Sequence, residues 1–256
     1  MRSREDCPSP TAHFTMTIDL RIITLAAASL LSACKGAEGA RAKTPAASVE
    51  SAAPASAASP TAATNAATPA PDPLVARADS ARIRGNPSSK VWMIIASDFQ
   101  CPYCKMWHDS SDAAIRREYI DNGKVRLAFV NYPINSHQNA IPAAEYAMCA
   151  AAQDKFWQMH DALFASQDRW AGLQKPGPVL EEVAGSAGVD LTALRACVSA
   201  HKMLPLIEAD RDKATRAGVK ATPSFFIANR SLEGVYPLSE MRKVLDDALA
   251  ATGAPK

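Results

Sequence analysis

Cys101-Pro102-Tyr103-Cys104 stands a few residues after the apolar run Val91-Trp92-Met93-Ile94-Ile95. A strand that hands over to a helix through Cys-x-x-Cys holds two sulfurs where they can close a small ring and reopen it. That is the geometry of thiol–disulfide exchange, in which the thiolate attacks. Pro102 suits the first position of a helix, so Cys101 falls at a helix N-terminus, where the dipole favours its anion. A lone Cys-x-x-Cys also occurs in zinc sites, but no second such pair follows in this chain.

The elements that must position these sulfurs are legible in outline. Val91 to Ala96 has the length and continuity of a buried central strand. A helix from Pro102 should run to about Asp121 and stop at Asn122-Gly123. Val125 to Val130 reads as a second buried strand, which makes strand, helix, strand, the parallel crossover unit. Ala78 to Arg84 is a possible first strand. Helical periods follow over Ala140–Gln153, Phe156–Ala165, Val179–Ala187, Leu191–Ala200 and Leu204–Ala217. Ser224–Ala228 and Leu232–Tyr236 read as a hairpin around Asn229-Arg230-Ser231, with an amphipathic helix from Ser239 to about Leu249. The expected fold class is α/β, a βαβ unit and a ββα unit with an all-helical insertion at about 136–218.

The 256 residues carry a formal net charge of only +2 and no block of Lys or Arg, which excludes a basic-stripe nucleic-acid footprint. Ile22 to Leu31 is a short apolar stretch, well below the roughly 20 residues a membrane span needs. It reads as an export signal occupying residues 1–33. Leu31-Ser32-Ala33-Cys34 resembles the bacterial lipobox, which implies lipidation of Cys34 and a membrane-tethered envelope protein; the alternative is a secreted protein cut at an ordinary small-residue site. Met16 is the more ordinary start for such a signal, in which case Cys7 is not part of the protein. Residues 34–73 are almost wholly Ala, Pro, Ser and Thr, a composition that cannot offset chain entropy, and read as a disordered tether. The folded domain is then expected over 74–256. Either reading of Cys34 places it in an oxidising compartment that permits disulfides.

Asp98-Phe99-Gln100-Cys101-Pro102-Tyr103-Cys104, the later Ala221-Thr222-Pro223-Ser224-Phe225-Phe226-Ile227 and the helical stretch between them resemble the DsbA-like branch of the thioredoxin superfamily. The resemblance covers about Ala78 to Leu249 and implies a thioredoxin-like fold with a helical insertion. It implies that Cys101 is the exposed sulfur that exchanges with substrate, that Cys104 is its buried partner, and that Thr222-Pro223 is a cis peptide facing them. The Thr222 backbone would then pair with an extended substrate by strand addition. Pro102-Tyr103 matches the dipeptide of glutaredoxins and many exported relatives rather than the Gly-Pro of thioredoxin, whose potential is lower by about 40 to 70 mV. One departure stands out. Relatives commonly carry a buried acid six positions before the first cysteine, and here that position is Ile95. Asp98 is the nearest carboxylate, acting either through water or as a loop cap.

With Cys101 and Cys104 paired as the resemblance implies, Cys149 and Cys197 remain, as a structural disulfide or as two unpaired buried cysteines. His108, His137 and His160 show no metal-site spacing, so no metal is expected, and His108 reads as solvated. Phe156-Trp157 with Leu163-Phe164 reads as core packing, and Tyr103, Phe99 and Pro102 as an apolar collar round the reactive sulfur.

The resulting expectation is a protein-disulfide oxidoreductase of the bacterial cell envelope. It would oxidise cysteine pairs of unfolded exported proteins and need no cofactor beyond its own disulfide. The resemblance implies a DsbB-like membrane reoxidant. A reductase or isomerase on the same fold, and a non-catalytic thiol module binding a soft metal or a partner, are the alternatives.

Overall fold

The computed structural model describes residues 72–253. The expected signal segment (1–33), Cys7, Met16, Cys34 and all but the last two residues of the expected tether lie outside the described residues. Those last two residues open a helix. Asp72 Oδ1 accepts a hydrogen bond from Leu74 N at 2.9 Å, and Pro73 begins helix α1 (Pro73–Ala81). An aspartate cap followed by proline is a strong helix start, and alanine sustains it. The strand expected over Ala78–Arg84 is therefore mostly helix, with only Ile83–Arg84 forming a strand, β1.

β2 (Val91–Ser97) is the centre of a five-stranded sheet of order β1-β3-β2-β4-β5. It runs parallel to β3 (Val125–Asn131), with Val91 opposite Val125, and antiparallel to β4 (Ser224–Ile227), with Ile95 opposite Phe225. Val91, Met93 and Ile95 are buried on one face, whereas Trp92 and Ile94 are only half-buried on the other. β2 is thus less enclosed than its unbroken apolar run suggests. Trp92 spends its exposed ring against the guanidinium of Arg126, 4.0 Å from the ring centre. β5 (Arg230–Glu233) closes the hairpin through Ala228 and Asn229, with Ala228 at φ +52°. The turn is tighter than the three residues expected, because a two-residue hairpin loop matches the strand twist when its first residue takes positive φ, as Ala228 does.

The β2–β3 crossover is α2 (102–120). It is α-helical over Pro102–Trp107, widens to a π-helical turn at His108–Asp112, returns to α over Ala113–Ile115 and ends π-helical at Arg116–Ile120. Gly123 takes φ +71° and donates to Ile120 O at 3.0 Å, closing the helix where Asn122-Gly123 was expected to.

Between β3 and β4 come α3 (Ala140–Ala151), α4 (Phe156–Ala165), α5 (Gln167–Trp170), α6 (Gly177–Ser186), α7 (Leu191–Ser199) and α8 (Leu204–Arg216). All but the four-residue α5 were expected. α9 (Leu238–Ala251) follows the hairpin and packs on β4 and α2. This is a thioredoxin-like α/β fold with a helical insertion. No helix among the described residues is long and apolar enough to cross a membrane.

One apolar core joins sheet and insertion. Phe99 stacks on Phe129 with ring centres 5.1 Å apart, and Phe129 meets Phe156 at 5.3 Å. Phe156, Leu163 and Phe164 are buried and Trp157 packs at the edge. Beside this core Arg82, at the α1–β1 junction, is ion-paired to Asp210 of α8. Cys149 of α3 and Cys197 of α7 form a disulfide with Cα atoms 5.8 Å apart and 48 residues of sequence separation. Replacing both by alanine should lower unfolding free energy by about 2–4 kcal/mol, as expected for reopening a loop of this length in the unfolded chain. Urea unfolding of the variant measures it, and a loss below about 0.5 kcal/mol would mean that the bridge does not constrain the unfolded state.

Candidate active site

The turn between β2 and α2 carries the cysteines. Cys101 sits in extended conformation at the cap of α2, its N–H donating to Asp98 O at 3.1 Å and its carbonyl accepting from Lys105 N at 3.1 Å. Both Cys101 and Cys104 are free thiols. Cys101 is only 3% exposed, which corrects the expectation of an exposed sulfur. The cause is the loop before β4, where Thr222 O lies 3.5 Å from Cys101 Sγ and covers it. The Thr222–Pro223 peptide is cis. Cys104 is 1% exposed, with Asp98 N pointing at its sulfur from 3.5 Å.

The expected collar is also revised. Tyr103 and Pro102 are exposed at the mouth, but Phe99 is buried in the core, and the exposed Met106, one turn after Pro102, takes its place. An apolar residue at that spacing is a signal that the helical period carried all along.

The environment separates the two thiols. Hydrogen bonding from the Cys104 thiol, helped by the N–H groups of Cys104 and Tyr103, brings the Cys101 pKa down to about 6 against the opposing effect of burial. Burial, together with the neighbouring Cys101 sulfur, pushes Cys104 well up. Cys101 is thus the anion and Cys104 the proton carrier, set by environment rather than residue type.

Alkylation of reduced protein by iodoacetamide should titrate with a midpoint near pH 6. Because the folded-state pKa lies below that of an unfolded thiol, the anion stabilises the reduced fold at high pH. The effect is about 1.4 kcal/mol at pH 7 and disappears as pH falls through 6. An alkylation midpoint above pH 8 would contradict this arrangement.

Asp98 is wholly buried. Its Oδ1 accepts from Gln100 N at 2.7 Å, and its Oδ2 from Ile134 N at 2.9 Å and lies 2.8 Å from His137 Nδ1. Burial raises its pKa, with those donors opposing. The carboxylate braces the cysteine turn against the 132–137 loop, which is the capping role of the two expected. Ile95 lies in the core between its strand partners Phe129 and Phe225.

Three amides were invisible in the sequence. Gln167 of α5 donates through Nε2 to Phe99 O at 2.7 Å and Cys101 O at 3.1 Å. Gln100 donates to Ala171 O at 2.8 Å and accepts from Asn139 N at 2.7 Å. Asn139 Nδ2 donates to Leu173 O at 2.7 Å. Together they stitch the reactive turn to the insertion, and no periodicity marks an isolated amide. Thr222 Oγ1 is buried without a hydrogen-bond partner.

The three histidines divide. His137 braces Asp98, while His108 and His160 meet at Asp161. The His108 side chain is 15% exposed, which corrects the solvated reading; the π-helical turn directs it towards α4.

Residues 77–247 match a family model described as Thioredoxin. Over 174 residues the chain is 31% identical to the Na(+)/H(+) antiporter NhaA 3 of Salinispora tropica, a match covering 68% of this chain and 25% of that protein. It is 26% identical over 172 residues to a putative protein-disulfide oxidoreductase of Rickettsia conorii, covering 67% of this chain and 61% of that protein. The chain therefore spans about a quarter of the first relative and three fifths of the second. The crystal structure of alpha-DsbA1 from Wolbachia pipientis superposes with a TM-score of 0.60 at 23% identity, over 66% of this chain and 91% of that one, a likeness of fold.

Proposed function

This chain belongs to the thioredoxin family, and from that premise we propose that it is a protein-disulfide oxidoreductase that donates the Cys101–Cys104 disulfide to exported proteins. The observation that carries the reading is the pair of free thiols at the start of α2 beneath the cis Thr222–Pro223 peptide, an arrangement in which Cys101 is brought to about 6 and Cys104 is pushed up. A substrate thiolate attacks Cys101 Sγ, the Cys101–Cys104 bond breaks, and Cys104 leaves and takes up a proton. A second substrate thiolate then attacks the substrate sulfur of the mixed disulfide, and Cys101 departs as a stable thiolate. The substrate loses two electrons and the protein gains them. A low leaving-group pKa speeds this last step and favours the oxidising direction.

The exposed Pro102, Tyr103 and Met106 offer an apolar rim for unfolded chains, and Thr222 beside Pro223 offers backbone for an extended segment. Oxidative refolding of a reduced, unfolded protein tests the activity. Acceleration by catalytic amounts of oxidised protein with glutathione supports it, and no acceleration refutes it. A quinone-linked membrane protein of DsbB type is the proposed reoxidant.

The proton step carries its own test. Cys104 must gain or lose a proton in a core where Ile95 replaces the usual acid. Ile95→Glu should speed the reoxidation of the dithiol several-fold above pH 6, whereas Ile95→Gln should not. Stopped-flow tryptophan fluorescence reads the rate, and equal rates in all three proteins would argue against a missing relay.

Envelope tethering is proposed from the Leu31-Ser32-Ala33-Cys34 box. Metabolic labelling with a palmitate analogue should mark the wild-type protein and not Cys34→Ala. Labelling that persists in the variant, or is absent from both, overturns the anchor.

A further inference from the structure

α2 and α4 bring four metal-ligating side chains to one point on the seam between the thioredoxin-like sheet and the insertion. His108 and Asp112 stand at the two ends of the π-helical turn, and His160 and Asp161 are neighbours on α4. One ligand atom from each lies within 4.8 Å of all the others. His108 Nδ1 is 2.9 Å from Asp109 Oδ1, which leaves Nε2 facing the cluster, 3.4 Å from Asp161 Oδ1. A carboxylate behind an imidazole is the arrangement that orients metal-binding histidines. His160 Nδ1 reaches the same Asp161 oxygen at 2.8 Å. Asp112 is 6% exposed and its Oδ2 accepts no hydrogen bond. An Arg116 nitrogen lies 2.9 Å from that oxygen as an ion pair.

We propose that His108, Asp112, His160 and Asp161 form a binding site for a divalent transition ion of the zinc class, which clamps the active-site helix to the insertion. Two imidazole nitrogens and two carboxylate oxygens are a borderline donor set suited to zinc, and the count is that of a closed tetrahedral site. In a tetrahedron with bonds of about 2.0–2.1 Å the ligand atoms stand roughly 3.4 Å apart. The 3.4 Å approach of His108 Nε2 to Asp161 Oδ1 matches that spacing, and the 2.8 Å approach of His160 Nδ1 is shorter, as for a hydrogen bond that the metal would replace. Arg116 also bonds Asp161 through three contacts of 2.9–3.1 Å. It supplies one positive charge to two carboxylates, which leaves one negative charge for a cation to balance. Bound zinc would take the His160 Nδ1 lone pair, so the ring proton now facing Asp161 would move to Nε2 and the imidazole would stay neutral.

The test uses the full chain with Cys101 and Cys104 oxidised to their disulfide, so that those sulfurs cannot bind metal. Cobalt(II) titration should give the intense visible bands of a four-coordinate site at one ion per chain. Zinc should displace the cobalt and raise the Tm. His108→Ala and Asp112→Asn should each weaken cobalt binding at least tenfold while leaving the Cys101 alkylation midpoint unchanged. Absence of four-coordinate bands in the wild-type protein overturns the site, as does binding that survives both substitutions. Either failure leaves the disulfide reading standing, because that reading is measured on the cysteines alone.

Discussion

Cys101→Ser and Cys104→Ser should each bring disulfide transfer down to the uncatalysed background, because neither holds the donor disulfide. Only Cys104→Ser, offered a substrate that is itself a disulfide, should attack it through Cys101 and accumulate a mixed disulfide. The asymmetry follows from the site. Cys101 is the sulfur beside Thr222 and the exposed rim of Pro102, Tyr103 and Met106, and it is the one held as an anion near neutrality. At pH 7 a thiol of pKa about 6 is roughly nine-tenths thiolate, against a few per cent for an unperturbed cysteine. Cys104 lies beneath, closed off from substrate, and its loss removes both the donor disulfide and the thiol that would expel a bound substrate by attacking Cys101 Sγ. Non-reducing electrophoresis and mass mapping of the trapped species would show substrate linked through Cys101. Trapping by Cys101→Ser, with linkage through Cys104, would reverse the assignment.

The second large effect is structural. Asp210 of α8 is 3% exposed and accepts from Asn131 N at 3.1 Å, from Asn131 Nδ2 at 2.9 Å and from Arg82. Arg82 in turn donates to Phe129 O at 3.0 Å and pairs with Asp79. One carboxylate therefore ties the α1–β1 junction, the end of β3 and the insertion together. Asp210→Ala leaves a buried guanidinium short of its main partner, and should cost about 3–5 kcal/mol. For a domain of this size that is a fall in Tm on the order of 10 °C. Replacing Arg82 and Asp210 together with Met and Leu should recover most of the loss, because packed apolar groups avoid the desolvation of two charges. A Tm change of less than about 2 °C in Asp210→Ala would show that the network is not holding these elements.

Much of this was readable from residues alone, for physical reasons that also explain the misses. β2 and β3 declare themselves because strands in a crossover unit are mostly apolar, with Arg126 the one charge inside either, and Pro102 and Gly123 punctuate α2 at both ends. The α1 segment misled because the seven residues Ala78–Arg84, of Ala, Asp, Ser, Arg and a single Ile, carry no clear period, while the signal lay upstream in Asp72-Pro73. The cysteine pair was legible in its spacing, but its burial was not. Cover over Cys101 comes from Thr222, 121 residues away. Gln167, Gln100 and Asn139 hold the reactive turn through single side-chain bonds to backbone, and such bonds leave no pattern along a chain. The same holds for the convergence of His108 and His160, which depends on a π-helical turn that re-aims one side chain. Local chemistry was visible and long-range closure was not.

The central claim is that this disulfide is an oxidant, and the equilibrium redox potential of the Cys101–Cys104 couple against glutathione tests it most directly. A Cys101 pKa near 6, about one unit below that of thioredoxin, and the Pro-Tyr dipeptide together place the expected potential above about −230 mV. A potential at or below about −270 mV, the value of thioredoxin itself, would contradict the account and make the protein a reductase.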